Sequence, residues 1–266
     1  DGRSREPGDL RGGDPLHLQV ARPLSDYWRL ARTPRYSLLF ALPLLVLYEL
    51  AAFALAGDAV SGVRNGADVL LKSLFLTLGG RRGLLLFNTL VLGSFLVLVW
   101  QDMRRSGGKL RRGIFLGMTA ESVLGGMLFG IVAGTLTAIL LGGAPHLAMA
   151  QMAAFDLPTQ LTISLGAGIY EEILFRVLLV GALYQMARRL LGWRPWPAGI
   201  SATVVGAFLF SAFHYVGPYG DPLELGSFTF RFVAGVLFSG MYLLRGLGIT
   251  AWTHALYDVF LTLMQA

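Results

Sequence analysis

The chain has 266 residues, of which 55% are hydrophobic and only 14% are charged, and its mean hydropathy is +0.60. Soluble domains carry about 25% charged residues, so this composition argues against a soluble globular enzyme. The absence of Cys excludes disulfides, thiol nucleophiles and metal sites built on Cys. Lys and Arg number 22 against 16 Asp and Glu, a net charge of +6. These cations lie in short segments between apolar runs. This pattern is typical of charges that set the orientation of a protein in a membrane, and it argues against nucleic-acid binding.

Several apolar stretches are long enough to cross a bilayer, which takes about 20 mostly apolar residues. The seven predicted spans are 37–57, 83–101, 114–141, 159–183, 198–216, 227–244 and 247–265. A shorter amphipathic stretch, 66–79, contains Asp68 and Lys72, and we expect it to be interfacial or re-entrant. The sequence therefore predicts an all-α, polytopic membrane helix bundle over 37–266, with seven spans, or eight if 66–79 also crosses.

The loops between these spans predict an orientation, because cytoplasmic loops accumulate Lys and Arg. The segment 1–36 is polar and Arg-rich, and we expect it to be a basic cytoplasmic tail. The loops 102–113 and 184–197 are also basic, whereas 142–158 and 217–226 contain no Lys or Arg. This alternation predicts a cytoplasmic N terminus. The chain is expected to be an integral protein of the bacterial cytoplasmic (inner) membrane, in contact with the lipid bilayer and not with nucleic acid.

Some charged residues near the ends of the spans need separate interpretations. The predicted external segment 58–82 goes against the charge rule, because it contains Arg64, Lys72, Arg81 and Arg82. Glu49, in the first span, is expected at the interface. Arg231, near the outer end of the sixth span, is expected to snorkel, with its guanidinium in water.

Charged side chains inside a span cost about 2.5–3.5 kcal/mol each on insertion, so each needs a partner or a purpose. The polar residues predicted inside the fourth, fifth and seventh spans are Glu171, Glu172, Arg176, His214, His254 and Asp258. Residues four apart share a helix face, which predicts a Glu172–Arg176 ion pair and lets His254 and Asp258 meet. Glu171 has no such partner in its own helix and should point elsewhere.

A Glu and two His from three helices form a polar centre that can activate water, bind a divalent metal or carry protons. The same residues have structural interpretations, because buried ion pairs and hydrogen bonds also join membrane helices. Three functions therefore stay open. They are a hydrolase, a proton-coupled transporter with a carboxylate–imidazole relay, and a non-enzymatic membrane adaptor or immunity protein.

Taken in order, the three clusters resemble the signature of the CPBP intramembrane proteases, a family that includes the type II CAAX prenyl endopeptidases. That signature is Glu-Glu-x-x-x-Arg, Phe-x-x-x-His and His-x-x-x-Asn/Asp on successive membrane helices. The matching residues are Glu171-Glu172-Ile-Leu-Phe-Arg176, Phe210-Ser-Ala-Phe-His214 and His254-Ala-Leu-Tyr-Asp258. The resemblance covers about 160–260 and implies a catalytic core over about 159–265.

The resemblance implies an endopeptidase that acts on a membrane-associated protein or peptide. Glu171 would be the general base that activates water together with His214. Glu172 and Arg176 would fix the helix and the electrostatics of the site. His254, with residue 258, would stabilise the oxyanion.

Position 258 departs from the prenyl endopeptidases, which have Asn there. An ionised Asp cannot donate a hydrogen bond. Either Asp258 is protonated, or it orients and charges His254, which then donates alone. We favour the second alternative, and the Asp weakens the inference to prenylated substrates.

Zinc on His214, His254 and Glu171 is a minority interpretation, because three protein ligands plus water satisfy zinc. The chain lacks His-Glu-x-x-His, so a catalytic role for Glu171 and no cofactor are preferred.

The predicted spans place the three clusters at different depths. His214 would lie near the outer end of its helix, Glu171 near the middle and His254 nearer the inner end. At about 1.5 Å per residue, the difference is roughly 10–15 Å. Convergence then requires tilted or broken helices, and the Gly- and Pro-containing segments 217–222 and 246–248 are the candidate breaks.

Overall fold

The computed structural model describes residues 25–56, 64–107, 109–143, 155–217 and 220–265, and these are helical without any strand. The first helices are α1 (25–31), α2 (Pro34–Ala56), α3 (Gly66–Ser106) and α4 (Arg112–Leu141). One continuous helix follows, made of α5 (Leu157–Gly166), a π-helical segment (Ala167–Val180) and α6 (Gly181–Arg189). The last are α7 (Pro195–Phe213), α8 (Leu225–Arg245) and α9 (Leu247–Gln265). The predicted all-α class is confirmed. Most of the predicted tail and of loop 142–158 lies outside the described residues.

Each predicted span coincides with a helix to within a few residues. Five described helices, α2, α3, α4, α7 and α8, are long and apolar enough to cross a membrane. The other two predicted spans carry the charged clusters. One is divided among α5, the π-helical segment and α6, and in α9 the polar residues lower the hydropathy. Large apolar side chains on α3 and α4 are exposed, such as Leu85 at 69% and Ile131 at 66%, as lipid-facing surfaces require. The chain is an integral membrane protein, while seven spans and a cytoplasmic N terminus stay predictions.

Helix α3 is broken at Gly80, which has φ 56° and ψ −143°. Phe75 and Phe87 lie on either side of this break, and their ring centroids are 5.2 Å apart. Twelve residues of unbroken helix would separate them by about 18 Å. The chain therefore folds back at Gly80, and 66–79 is a short arm packed against the rest of α3, which suits an interfacial or re-entrant segment.

A buried ionic cluster fixes this arm to α2. Lys72 Nζ lies 2.7 Å from a carboxylate oxygen of both Glu49 and Asp68, and Arg64 lies 3.0 Å from Asp68. Two carboxylates thus neutralise Arg64 and Lys72, two of the four cations that violate the charge rule. The other two, Arg81 and Arg82, are exposed, and these pairs do not account for them. Glu49, expected simply at the interface, is an ion-pair partner within the bundle.

Helix α1 belongs to the predicted tail and packs onto the bundle. Tyr27 donates a hydrogen bond to Glu121 across 2.5 Å. Burial, together with the Glu121 carboxylate, raises the pKa of Tyr27, so its hydroxyl stays protonated. Arg245 pairs with the same carboxylate and stacks over the ring of Trp28 at 3.9 Å. These contacts attach 25–31 to α4 and to the end of α8.

Two glycines let other helices approach the helix that carries Glu171 and Glu172. A Cβ on Gly168 would lie 2.5 Å from the carbonyl oxygen of Ala251 in α9. A Cβ on Gly166 would lie 2.7 Å from Cβ of Asn65, just before α3. Only glycine permits these approaches without displacement, and they bring α9 and the start of α3 to the site.

Candidate functional site

One cavity collects the residues that the sequence placed at different depths. It has a volume of about 170 Å³ and is lined by Glu171, His214, His254 and Asp258 among others. Helix α7 ends at Phe213, so His214 occupies its C-terminal cap, and the chain turns at Gly217 with φ 97°. Helix α8 ends at Arg245, Gly246 follows with φ 80°, and α9 starts directly after it. Chain breaks therefore lie at Gly217 and Gly246, within the two segments where the sequence predicted them.

Glu171 is buried on the cavity wall, with 6% of the residue exposed. Its Oε1 accepts a hydrogen bond of 2.8 Å from Nδ2 of Asn65, while its Oε2 has no hydrogen-bond partner. Asn65 caps α3 through Oδ1, and its backbone N–H donates to the Tyr48 hydroxyl. Glu171 is thus held by one oxygen and keeps the other uncommitted.

Asn65 was not predicted from the sequence as a site residue. An Asn before a helix is a known N-cap signal. Nothing in the sequence pairs it with a carboxylate 106 positions away.

His214 presents one ring nitrogen to the cavity. Its Nδ1 donates a hydrogen bond of 2.8 Å to the carbonyl oxygen of Phe210, one helical turn earlier. In the neutral ring this leaves Nε2 as an acceptor. The Phe210 ring lies edge-on to the imidazole, with centroids 4.9 Å apart, so backbone and ring together orient His214.

The predicted Glu172–Arg176 pair is present, with Nη1 and Oε1 3.2 Å apart and both side chains at most 1% exposed. The same Oε1 also accepts a hydrogen bond of 2.8 Å from Nδ1 of His254, a contact that the sequence analysis did not anticipate. Arg176 stacks over the Phe210 ring at 4.3 Å. Glu172 therefore ties the π-helical segment to α9, and through Arg176 to α7.

The ring of His254 lies between two carboxylates. Phe238 stacks on it with centroids 4.2 Å apart. Glu172 bonds Nδ1, and Oδ2 of Asp258 lies 3.5 Å from Nε2, longer than a good hydrogen bond. Asp258 lies near the ring as expected, but Glu172 makes the hydrogen bond that orients it.

A comparison with known protein families finds a match over the part of the chain that contains the three clusters. Residues 153–260 match the family model described as Type II CAAX prenyl endopeptidase Rce1-like. This match supports the resemblance of residues 153–260 to the CAAX-type CPBP membrane proteases. No curated protein and no solved structure matched the chain. The matched region contains all three clusters, whereas Asn65 lies outside it.

Arg231 lies in the matched region and does not snorkel, so that prediction was wrong. Its side chain is 7% exposed, pairs with Asp221 and lines the cavity. Its Nη1 has no hydrogen-bond partner. A buried arginine is therefore part of the cavity wall.

The arrangement does not suit the zinc interpretation. Within the parts of the chain that the structure describes, no three His, Asp or Glu side chains are grouped to hold a metal ion. Both nitrogens of His254 face carboxylates, Nδ1 towards Glu172 and Nε2 towards Asp258. A metal on His254 would have to displace one of these contacts.

Proposed function

We propose that the chain is an intramembrane endopeptidase that hydrolyses a peptide bond of a membrane-associated protein or peptide. The observation that carries this proposal is the shared cavity, which Glu171 and His214 both line, together with an Oε2 of Glu171 that has no hydrogen-bond partner. A carboxylate and an imidazole in one partly enclosed cavity can position and deprotonate a water molecule. The match of residues 153–260 to a family model of type II CAAX prenyl endopeptidases supports this chemistry.

In the proposed reaction, Glu171 and His214 hold a water molecule against the peptide carbonyl carbon. Glu171 accepts a proton as the water oxygen bonds to that carbon, and the C=O electron pair moves onto the oxygen. The tetrahedral species then collapses and the C–N bond breaks. The proton passes from Glu171 to the leaving nitrogen, so the products are a carboxyl terminus and an amine.

His254 is proposed to donate a hydrogen bond to the oxyanion. Glu172 fixes the ring through Nδ1, and Asp258 favours a proton on Nε2. The contact of 3.5 Å is longer than a good hydrogen bond, so the same N–H can donate to a substrate oxygen. Arg176 offsets the charge of Glu172 and keeps it in place.

The proposed enzyme needs no metal or other cofactor. Its proposed location is the bacterial cytoplasmic membrane, and its substrates are not restricted to prenylated proteins, because Asp258 departs from the prenyl endopeptidase pattern.

The test is quantitative mass spectrometry of new protein termini in membranes from cells that express the wild-type protein, Glu171→Gln or Glu224→Gln. Glu224 is exposed and undergoes the same chemical change outside the cavity. A protease yields truncated products with the wild type and with Glu224→Gln that vanish with Glu171→Gln. Identical product sets in all three would overturn the proposal and favour a transporter or an adaptor.

A further inference from the structure

The proposed oxyanion site is short of one donor, and this inference rests on the proposed function. Oxyanion sites are built from hydrogen-bond donors aimed at the developing charge. Where the family signature has Asn after His-x-x-x, that amide can donate, but Asp258 only accepts when ionised. His254 then remains as a single donor on its side of the cavity.

Arg231 has the properties that such a donor needs. Its side chain is 93% buried, lines the same cavity and carries an Nη1 without a hydrogen-bond partner. A buried, unpaired donor is costly unless a ligand satisfies it. Nη1 is therefore a buried donor without an acceptor, in a side chain that borders the cavity.

The rest of the guanidinium is fixed, so Nη1 has a defined position. Nη2 pairs with Asp221, and the guanidinium lies over the ring of Tyr215 at 5.1 Å. The backbone N–H of Asp221 donates to the carbonyl oxygen of His214 across 3.0 Å. Asp221, which pairs with Arg231, is thus hydrogen-bonded to His214, one of the two residues proposed to hold the water.

We propose that Nη1 of Arg231 donates a hydrogen bond to the substrate carbonyl oxygen as it becomes an oxyanion, and so supplies the donor that Asp258 lacks. Arg231 is then a catalytic residue of this chain. The alternative is that Arg231 only holds the turn around Asp221.

The experiment measures the truncated products that depend on Glu171 in cells that express Arg231→Gln, Asp258→Asn or both changes, at equal protein abundance in the membrane. Loss of one oxyanion donor lowers turnover by about 100- to 1,000-fold, which is the loss expected for Arg231→Gln. Adding Asp258→Asn supplies an amide donor and should restore most of the product. Asp221→Asn keeps the guanidinium and should cost much less.

The outcomes separate the two interpretations. Rescue of Arg231→Gln by Asp258→Asn supports the donor role, because a merely structural arginine gains nothing from an amide at 258. Full product with Arg231→Gln overturns it, and so does a double variant without rescue. If Tyr257→Phe loses product while Arg231→Gln does not, the donor is Tyr257 instead. Tyr257 is the control because its hydroxyl is a further unpartnered donor on the cavity. Absence of Glu171-dependent products would instead contradict the proposed function itself.

Discussion

Asn65 donates a hydrogen bond of 2.8 Å from its side-chain amide to Glu171, although the two residues lie 106 positions apart. Asn65 also caps α3 through Oδ1, so it has one structural role and one role at the site. The two roles use different atoms, which allows mutagenesis to separate them.

Asn65→Ser should keep the cap and lose the donor to Glu171. A hydrogen bond to a charged group contributes about 1.5–3 kcal/mol, so cleavage should fall about 10- to 100-fold while the melting temperature changes little. Asn65→Ala should also lose the cap, at about 1 kcal/mol of stability. Product formation and thermal unfolding in detergent check this. Unchanged cleavage by Asn65→Ser would show that Glu171 needs no support from α3.

Gly168→Ala should destabilise the bundle, because the new Cβ would lie 2.5 Å from both the Ala251 oxygen and Cβ of Ala255. We expect a loss of about 1–3 kcal/mol, together with reduced cleavage as α9 is displaced. Gly181→Ala is the matched control in the same continuous helix, where the new Cβ would lie 4.0 Å from the carbonyl oxygen of Arg176. That change should be neutral or stabilising by up to about 1 kcal/mol. Equal melting temperatures for the two variants would contradict the packing described here.

Glu172→Gln should leave the charge of Arg176 buried without compensation. Breaking a buried pair from one side costs about 3–5 kcal/mol, so the variant should unfold at a clearly lower temperature. The double variant Glu172→Gln with Arg176→Met should recover much of that stability. It should stay inactive, because His254 still lacks the carboxylate on Nδ1. Recovery of cleavage along with stability would mean that Glu172 serves folding alone.

Removal of metal should leave cleavage unchanged. The His254 nitrogens face Glu172 and Asp258, and the proposed water is held by Glu171 and His214. Purified protein treated with a strong chelator, then assayed on membranes that contain its substrates, should retain full product formation. Loss of activity that added zinc restores would revive the metal interpretation.

The sequence predicted those features that depend on local spacing. Helix identity follows from apolar runs, and the Glu172–Arg176 pair follows from residues four apart on one helix. Charge rules marked Arg64 and Lys72 as anomalous, and the structure explains them by the carboxylates of Glu49 and Asp68.

Contacts between distant segments could not be predicted in this way. The break at Gly80 turns α3 back on itself, and no periodicity in the sequence announces it. Arg231 lies near a helix end, where snorkelling is the usual outcome. Its side chain is instead buried, pairs with Asp221 and lines the cavity. The Glu172–His254 bond likewise depends on how closely α9 packs at Gly168.

The most direct test of the account is whether this protein adds water to a peptide bond through Glu171. Purified wild type and Glu171→Gln are each incubated, in heavy-oxygen water, with membranes from cells that lack the protein. The account predicts truncated proteins whose new carboxyl termini carry heavy oxygen with the wild type and not with Glu171→Gln. Equal labelling by both proteins, or no labelled terminus with the wild type, would contradict it.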